Sequence, residues 1–307
     1  MKSKKQLTTD GGQLEGRKQG MISVRGVEHY YDWIRQPGTS QQKPVMVFIH
    51  GWGGSARYWR STAEALSDRF DCLLYDLRGF GRSRLPKVPL EASSPRLTYE
   101  MEDYAEDLAA LLDVLQVGEV YLHSHSMGAS VATLFLNRYP ERVEGAILAC
   151  NGIFEYNEKA FAAFHKFGGY VVKFRYQWFL KVPLADRLFM ARFLHRSIGG
   201  TERRIFLEDF LLADYEAALG TIYTSVNKKA VEVMPKEFAQ IRVPTLLISG
   251  EKDIIIPAEM GRQAAALNKK IEYAEIAQTA HFPMLEDAQT YLKQVREFLG
   301  IGSPIAY

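Results

Sequence analysis

The chain has 307 residues, 47% hydrophobic and 24% charged, with a formal net charge of +2. Its size accommodates one large α/β domain carrying an insertion, or two average domains. The near-neutral balance argues against nucleic acid as a partner. No uncharged apolar run reaches the ~18 residues needed to span a bilayer, so no transmembrane segment is expected. The two cysteines, Cys72 and Cys150, lie within apolar runs and read as buried, reduced strand residues.

Residues 1–20 are rich in Lys, Ser, Thr, Gln and Gly and lack the apolar core of a signal peptide. They are expected to form a flexible tail, with the cytoplasm as the default location. Met21–Val24 and Tyr30–Ile34 flank Gly26 and predict a hairpin. Val45–Ile49 predicts a fully buried strand, followed by the loop His50-Gly51-Trp52-Gly53-Gly54 and by Ser55 as a helix cap. A strand at Cys72–Tyr75, a Gly-rich loop, a helix over Met101–Leu115, a strand at Glu119–Leu122, a helix from Met127 and a strand at Ala146–Ala149 then alternate. This is the βαβ rhythm of a parallel sheet covered on both faces.

From Ile153 to about Glu237 no apolar strand run occurs. Amphipathic helical patterns crowded with Phe, Tyr and Trp replace it. The expectation is a helical cap at 153–240 inserted into a core made of 21–152 and 241–307. A strand at Thr245–Ile248, a helix over Ala258–Leu267, a strand at Ile271–Tyr273 and one final helix from Met284 to Leu299 resume the alternation. There is no internal repeat.

The run Ser124-His125-Ser126-Met127-Gly128 joins a strand to a helix and places the Ser126 hydroxyl on a tight turn. A serine hydroxyl becomes a strong nucleophile only when a base takes its proton and a carboxylate orients that base. Candidates follow at the ends of later strands: Asp253, with Glu251 as an alternative carboxylate, and His281. The carboxyl edge of an open parallel sheet is where ligands bind. His123 and His125 flank the serine without a nearby third ligand, so no metal is expected. Gly79 and Gly81 lack the Lys-Ser/Thr pair of a phosphate loop, so no nucleotide and no other cofactor is expected. Asp76 and Arg78 read as residues that stitch their loop by hydrogen bonds and ion pairing.

Five motifs in register resemble those of the cap-bearing α/β-hydrolases of the serine carboxylesterase and lipase type, over about Met21 to Leu299. They are the loop His50–Gly54, the loop Asp76–Ser83, the turn Ser124–Gly128, and the segments Gly250–Asp253 and Ala280–Phe282. The resemblance implies a mostly parallel, doubly wound sheet with an N-terminal antiparallel hairpin and an inserted helical cap. It also implies Ser126 as nucleophile, His281 as base and Asp253 as orienting acid. The backbone N–H groups of Trp52 and Met127 become the oxyanion donors, and His50, Gly51 and His125 line the substrate site. Ser124 departs from the Gly usual in close relatives and is expected to crowd the turn.

The expected reaction is hydrolysis of a small hydrophobic carboxylic ester through an acyl-enzyme. Other chemistry on the same triad stands as the alternative (perhydrolase, C–C bond hydrolase, aminopeptidase or thioesterase), as does a slow-turnover receptor of the same fold. The cap carries eight Lys/Arg against three acids between Ile153 and Gly200. This excess is either a solvated face or a docking surface for anionic lipid or an acidic acyl-carrier protein.

Overall fold

The structure is a computed structural model that describes residues 18–36, 43–87 and 97–302. Strands β1 (Gln19–Val24) and β2 (Val27–Ile34) form the antiparallel hairpin, turning at Gly26 with φ 86°. Gln19 and Gly20, assigned to the tail on composition, pair with Asp32 and Tyr31, so the fold begins before Met21. Residues 1–17 of that tail lie outside the described residues.

The chain continues through β3 (Val45–Ile49), α1 (Arg60–Leu66), β4 (Asp71–Tyr75), α2 (Met101–Val114), β5 (Val120–His125), α3 (Met127–Arg138) and β6 (Val143–Ala149). Five helices come next: α4 (Glu158–Lys173), α5 (Ala185–Met190), α6 (Gly200–Leu212), α7 (Tyr215–Ser225) and α8 (Lys228–Gln240). The last elements are β7 (Thr245–Gly250), α9 (Ala258–Ala266), β8 (Ile271–Ile276), α10 (Pro283–Glu286) and α11 (Ala288–Phe298).

All strands join one sheet in the order β1-β2-β4-β3-β5-β6-β7-β8, antiparallel at β1-β2-β4 and parallel from β4 onward. The central strands are buried on both faces, in keeping with apolar runs such as Val45–Ile49 and Leu246–Ile248. One apolar core lies between the sheet and α2, α3 and α8, and a second lies between the sheet and α1 and α11. Strand order reverses between β3 and β5, so the crevice at their carboxyl ends is a topological switch point.

Several strands run past their expected ends, among them β2 from Val27, β7 to Gly250 and β8 to Ile276, and two of the differences have identifiable reasons. Strand β5 runs on to His125 because Ser124 and His125 keep pairing with Leu148 and Ala149, although neither is apolar. The single C-terminal helix is instead two. Asp287, at φ −145° and ψ 68°, leaves the helical region and accepts the Thr290 N–H as the cap of α11.

Charge is buried where α2 meets the strands. Arg78 donates to Asp107 at 2.7 Å, Arg25 donates to the other carboxylate oxygen at 2.8 Å, and the side chains of Arg78 and Asp107 are each only 2% exposed. Removing one member leaves the other charged and dry. Asp107→Ala is therefore expected to destabilise the fold by about 3–5 kcal/mol. Asp113→Ala, which breaks the exposed Arg142 pair, is expected to cost under about 1 kcal/mol. Urea denaturation midpoints compare them, and equal midpoints would contradict the assignment.

Candidate active site

Ser126 sits between β5 and α3 at φ 52° and ψ −122°, a strained conformation for a residue with a side chain. Close packing against β3 holds it there. A Cβ on Gly128 would lie 2.4 Å from the His50 carbonyl oxygen, and one on Gly51 would lie 3.1 Å from Cβ of Ser126. At Gly128 only glycine permits this approach, and at Gly51 a side chain would be tightly crowded. Ser124, expected to crowd the turn, is accommodated: its hydroxyl donates to the Ile147 carbonyl of β6 at 3.1 Å.

The three polar side chains converge. His281 Nε2 lies 3.0 Å from Ser126 Oγ, and its Nδ1 lies 2.7 Å from Asp253 Oδ2. The second Asp253 oxygen accepts the N–H groups of Ile255 and Ile256 at 2.8 and 3.1 Å. The carboxylate is thus held from both sides, with Nδ1–H of His281 as its third donor. Asp253 and His281 are buried, while Ser126 is half-buried. Glu251 takes no part; it accepts from Lys252 and from the Gln278 backbone.

Met127 opens α3, so its N–H has no intrahelical acceptor and sits at the positive end of the helix dipole. Among the described residues neither this N–H nor that of Trp52 donates to a protein acceptor. The Trp52 loop is fixed by its indole, which donates to the Ala218 carbonyl at 2.9 Å and packs on Phe210.

His50, Gly51 and His125 are buried, and they support the site from behind. His50 Nε2 accepts the Leu77 N–H at 2.9 Å, so its Nδ1 carries the proton that goes to the Gly51 carbonyl at 2.8 Å. The Gly51 N–H donates to Tyr58 Oη at 2.6 Å, and Tyr58 Oη lies 3.0 Å from His125 Nδ1. His125 Nε2 lies 2.7 Å from the His281 carbonyl, which only accepts. Hence Nε2 holds the proton, Nδ1 accepts from Tyr58, and one directional chain links the Gly51 loop to the His281 backbone. Both histidines use both ring nitrogens within the protein, leaving neither for a substrate. Burial lowers the pKa of each and keeps them neutral; His281 nearby lowers that of His125 further.

Ligand atoms of His125, Cys150 and His281 lie within 4.8 Å of one another. The imidazole nitrogens are all committed to the bonds just described, and burial pushes the Cys150 thiol pKa well up. The trio therefore lacks the free lone pairs and thiolate of a metal centre. Asp76 and Arg78 stitch their surroundings with different partners. Asp76 pairs with Arg82 and accepts the Ala56 N–H, while Arg78 reaches Asp107.

Several residues that organise the site escaped the sequence reading. Buried Glu286 accepts the N–H groups of Ala280 and Phe282 on one oxygen and those of His195 and Arg196 on the other. It thereby ties the His281 loop to the segment after α5. Asp209 of α6 accepts from Ser55 Oγ at 2.6 Å and pairs with Arg57, clamping the helical segment onto the loop after β3. An acid in the first turn after an Ala-His-Phe-Pro segment was a readable signal for Glu286. Nothing local marks Tyr58 or Asp209, whose partners are distant in the chain.

The family model of the alpha/beta hydrolase fold matches residues 44–288. The chain belongs to that family and is a hydrolase. It is 22% identical to the uncharacterized hydrolase YugF of Bacillus subtilis strain 168, over 91% of this chain and 96% of that one. Among solved structures, an enol-lactonase from Burkholderia xenovorans LB400 superposes with TM-score 0.72 at 21% identity, covering 92% of this chain and all (100%) of that chain. A thermophilic esterase from Thermogutta terrifontis gives 0.69 at 20% identity, covering 92% and 98%. At such identity these structures show a shared fold.

The neutral histidines carry a consequence for stability. Burial lowers the pKa of His29, His50 and His125, and takes His123 down to about 3. Below about pH 6.5 the unfolded chain binds protons at these imidazoles that the folded chain refuses. Stability is therefore expected to fall as pH drops from about 6.5 towards 4, with proton uptake on unfolding. Urea titrations across that range check it, and a flat profile would contradict the buried, neutral assignment.

Proposed function

We propose that the protein is a serine hydrolase that cleaves carboxylic esters with an apolar acyl or alcohol portion, and that residues 153–240 cap the site. The observation that carries this reading is one imidazole in hydrogen-bond reach of both a strained serine and a buried carboxylate. In the proposed first step Ser126 Oγ attacks the ester carbonyl carbon and its proton passes to His281 Nε2. Asp253 holds the Nδ1–H tautomer and stabilises the imidazolium. The backbone N–H groups of Trp52 and Met127 donate to the tetrahedral oxyanion. Collapse breaks the C–O bond, the alcohol leaves with the proton from His281, and an acyl-Ser126 ester remains. Water then attacks, giving up its proton to His281, and the acid is released as Ser126 recovers it.

An apolar substrate is supported by the rings around the base. Between centroids, Phe193 lies 6.2 Å and Phe282 lies 5.6 Å from the His281 ring, and Phe206 packs edge-on against Phe282 at 5.0 Å. Apolar surroundings of this kind favour hydrocarbon over charged or sugar groups. The enol-lactonase and esterase among the structural neighbours accord with an ester-type bond.

Ser126→Ala is expected to lower kcat on p-nitrophenyl esters by about 10⁴-fold or more while leaving the circular dichroism spectrum unchanged. Turnover assayed across increasing chain lengths tests the apolar preference in the same experiment. Hydrolysis surviving in the variant, or absent from the native protein for every ester, would overturn the reading.

A further inference from the structure

Helix α4 is inside out. It packs on α7 through Gly168 and Val172, where a Cβ on Gly168 would already touch Ile222 at 3.0 Å. Its apolar stripe Phe164, Phe167, Val171 and Phe174, at helical spacing, lies exposed or half-buried, and Phe167 is 62% exposed. Aromatic contacts continue this stripe from Tyr170 through Phe174 and Tyr176 to Trp178, with ring centroids 6.3, 6.4 and 6.3 Å apart. Beside it Leu184 and Leu188 are 69% and 81% exposed. A contiguous apolar surface of this kind marks an interaction site.

The charges beside it are mostly positive: Glu155 and Glu158 are the exposed acids at the start of α4, and Asp186 is paired with Arg203. Lys159, Lys166 and Lys173 recur at heptad spacing along α4, one position before the Phe167–Phe174 row. Together with Lys181, Arg187 and Arg192 they are exposed, and among the described residues none pairs with a carboxylate. Behind the apolar surface is a cavity of about 750 Å³, with Leu184 and Leu188 on its outer side and Phe189 and Phe210 within. Phe210 packs against Phe189 at 4.6 Å and against Trp52 at 5.6 Å, so the inner wall adjoins the loop that bears the Trp52 N–H.

We propose that this face of the helical insertion docks on an anionic lipid bilayer, and that the cavity behind it takes an acyl chain from the lipid. Exposed Trp and Tyr suit the headgroup level, apolar side chains suit the acyl boundary, and unpaired Lys/Arg are drawn to anionic headgroups. A soluble acidic carrier protein would meet the same cations but would leave much of the exposed apolar surface in water. The acyl-chain part rests on the ester reading; the docking part does not.

Flotation of the full-length Ser126→Ala protein with phosphatidylcholine vesicles, with and without phosphatidylglycerol, separates the two because no lipid is turned over. Flotation is expected only with phosphatidylglycerol and is expected to weaken as salt rises. A blue shift of tryptophan emission on binding should be lost in Trp178→Phe. Lys166→Ala and Lys173→Ala should each weaken binding about fivefold, and Phe167→Glu with Trp178→Glu should abolish it. In the Ser126-containing background all these variants should keep native hydrolysis of p-nitrophenyl acetate. No flotation with anionic vesicles, flotation unchanged in the glutamate variant, or binding only to an acyl-carrier protein would overturn the proposal. Flotation by a protein that hydrolyses no ester would overturn the ester reading while upholding the docking.

Discussion

The turn after β5 and the loop after β3 approach each other so closely that a Cβ at Gly128 would clash and one at Gly51 would be tightly crowded. Gly128 lies under the His50 carbonyl and Gly51 lies against Ser126. That approach does two things at once. It holds Ser126 at a positive φ, with its side chain at the mouth of the crevice, and it brings the first N–H of α3 near the loop that carries Trp52. The strain is stable because surrounding hydrogen bonds over-determine it. The Ser126 N–H donates to Ala149 of β6, and its carbonyl accepts from the Asn151 amide.

The opposite wall is tied to the same point through buried polar groups. Gly51, Tyr58, His125 and the His281 backbone form one chain of hydrogen bonds whose directions are fixed by the carbonyl at its end. Glu286 adds four backbone contacts that hold the His281 loop to the helical insertion. A buried network is stable only when every member is satisfied. The loop after β3 and the His281 backbone are therefore linked through Tyr58 and His125, and both ring nitrogens of His125 are taken up within the protein.

Much of the architecture was legible because parallel strands buried on both faces leave unbroken apolar runs, such as Val45–Ile49. The convergence of Ser126, Asp253 and His281 was also legible, because each follows one of the parallel strands β3–β8, which end on one edge. What escaped depends on contacts distant in the chain. The partners of His50 and His125 are not legible because exposure cannot be read from a loop sequence: in the fold Leu77, Tyr58 and the His281 carbonyl take up their nitrogens. The break at Asp287 was hidden because an aspartate within a periodic pattern reads equally as a surface residue or a cap. The aromatic residues of the insertion read in the sequence only as part of amphipathic helical patterns, and the fold shows that the stripe on α4 faces outward.

The central claim is that one serine is activated by this relay. Labelling the native protein with a fluorophosphonate and mapping the adduct by mass spectrometry tests it most directly. The account predicts a single adduct on Ser126, lost in His281→Ala. An adduct on Ser124 or Ser130 instead, or labelling that persists without the imidazole, would contradict it.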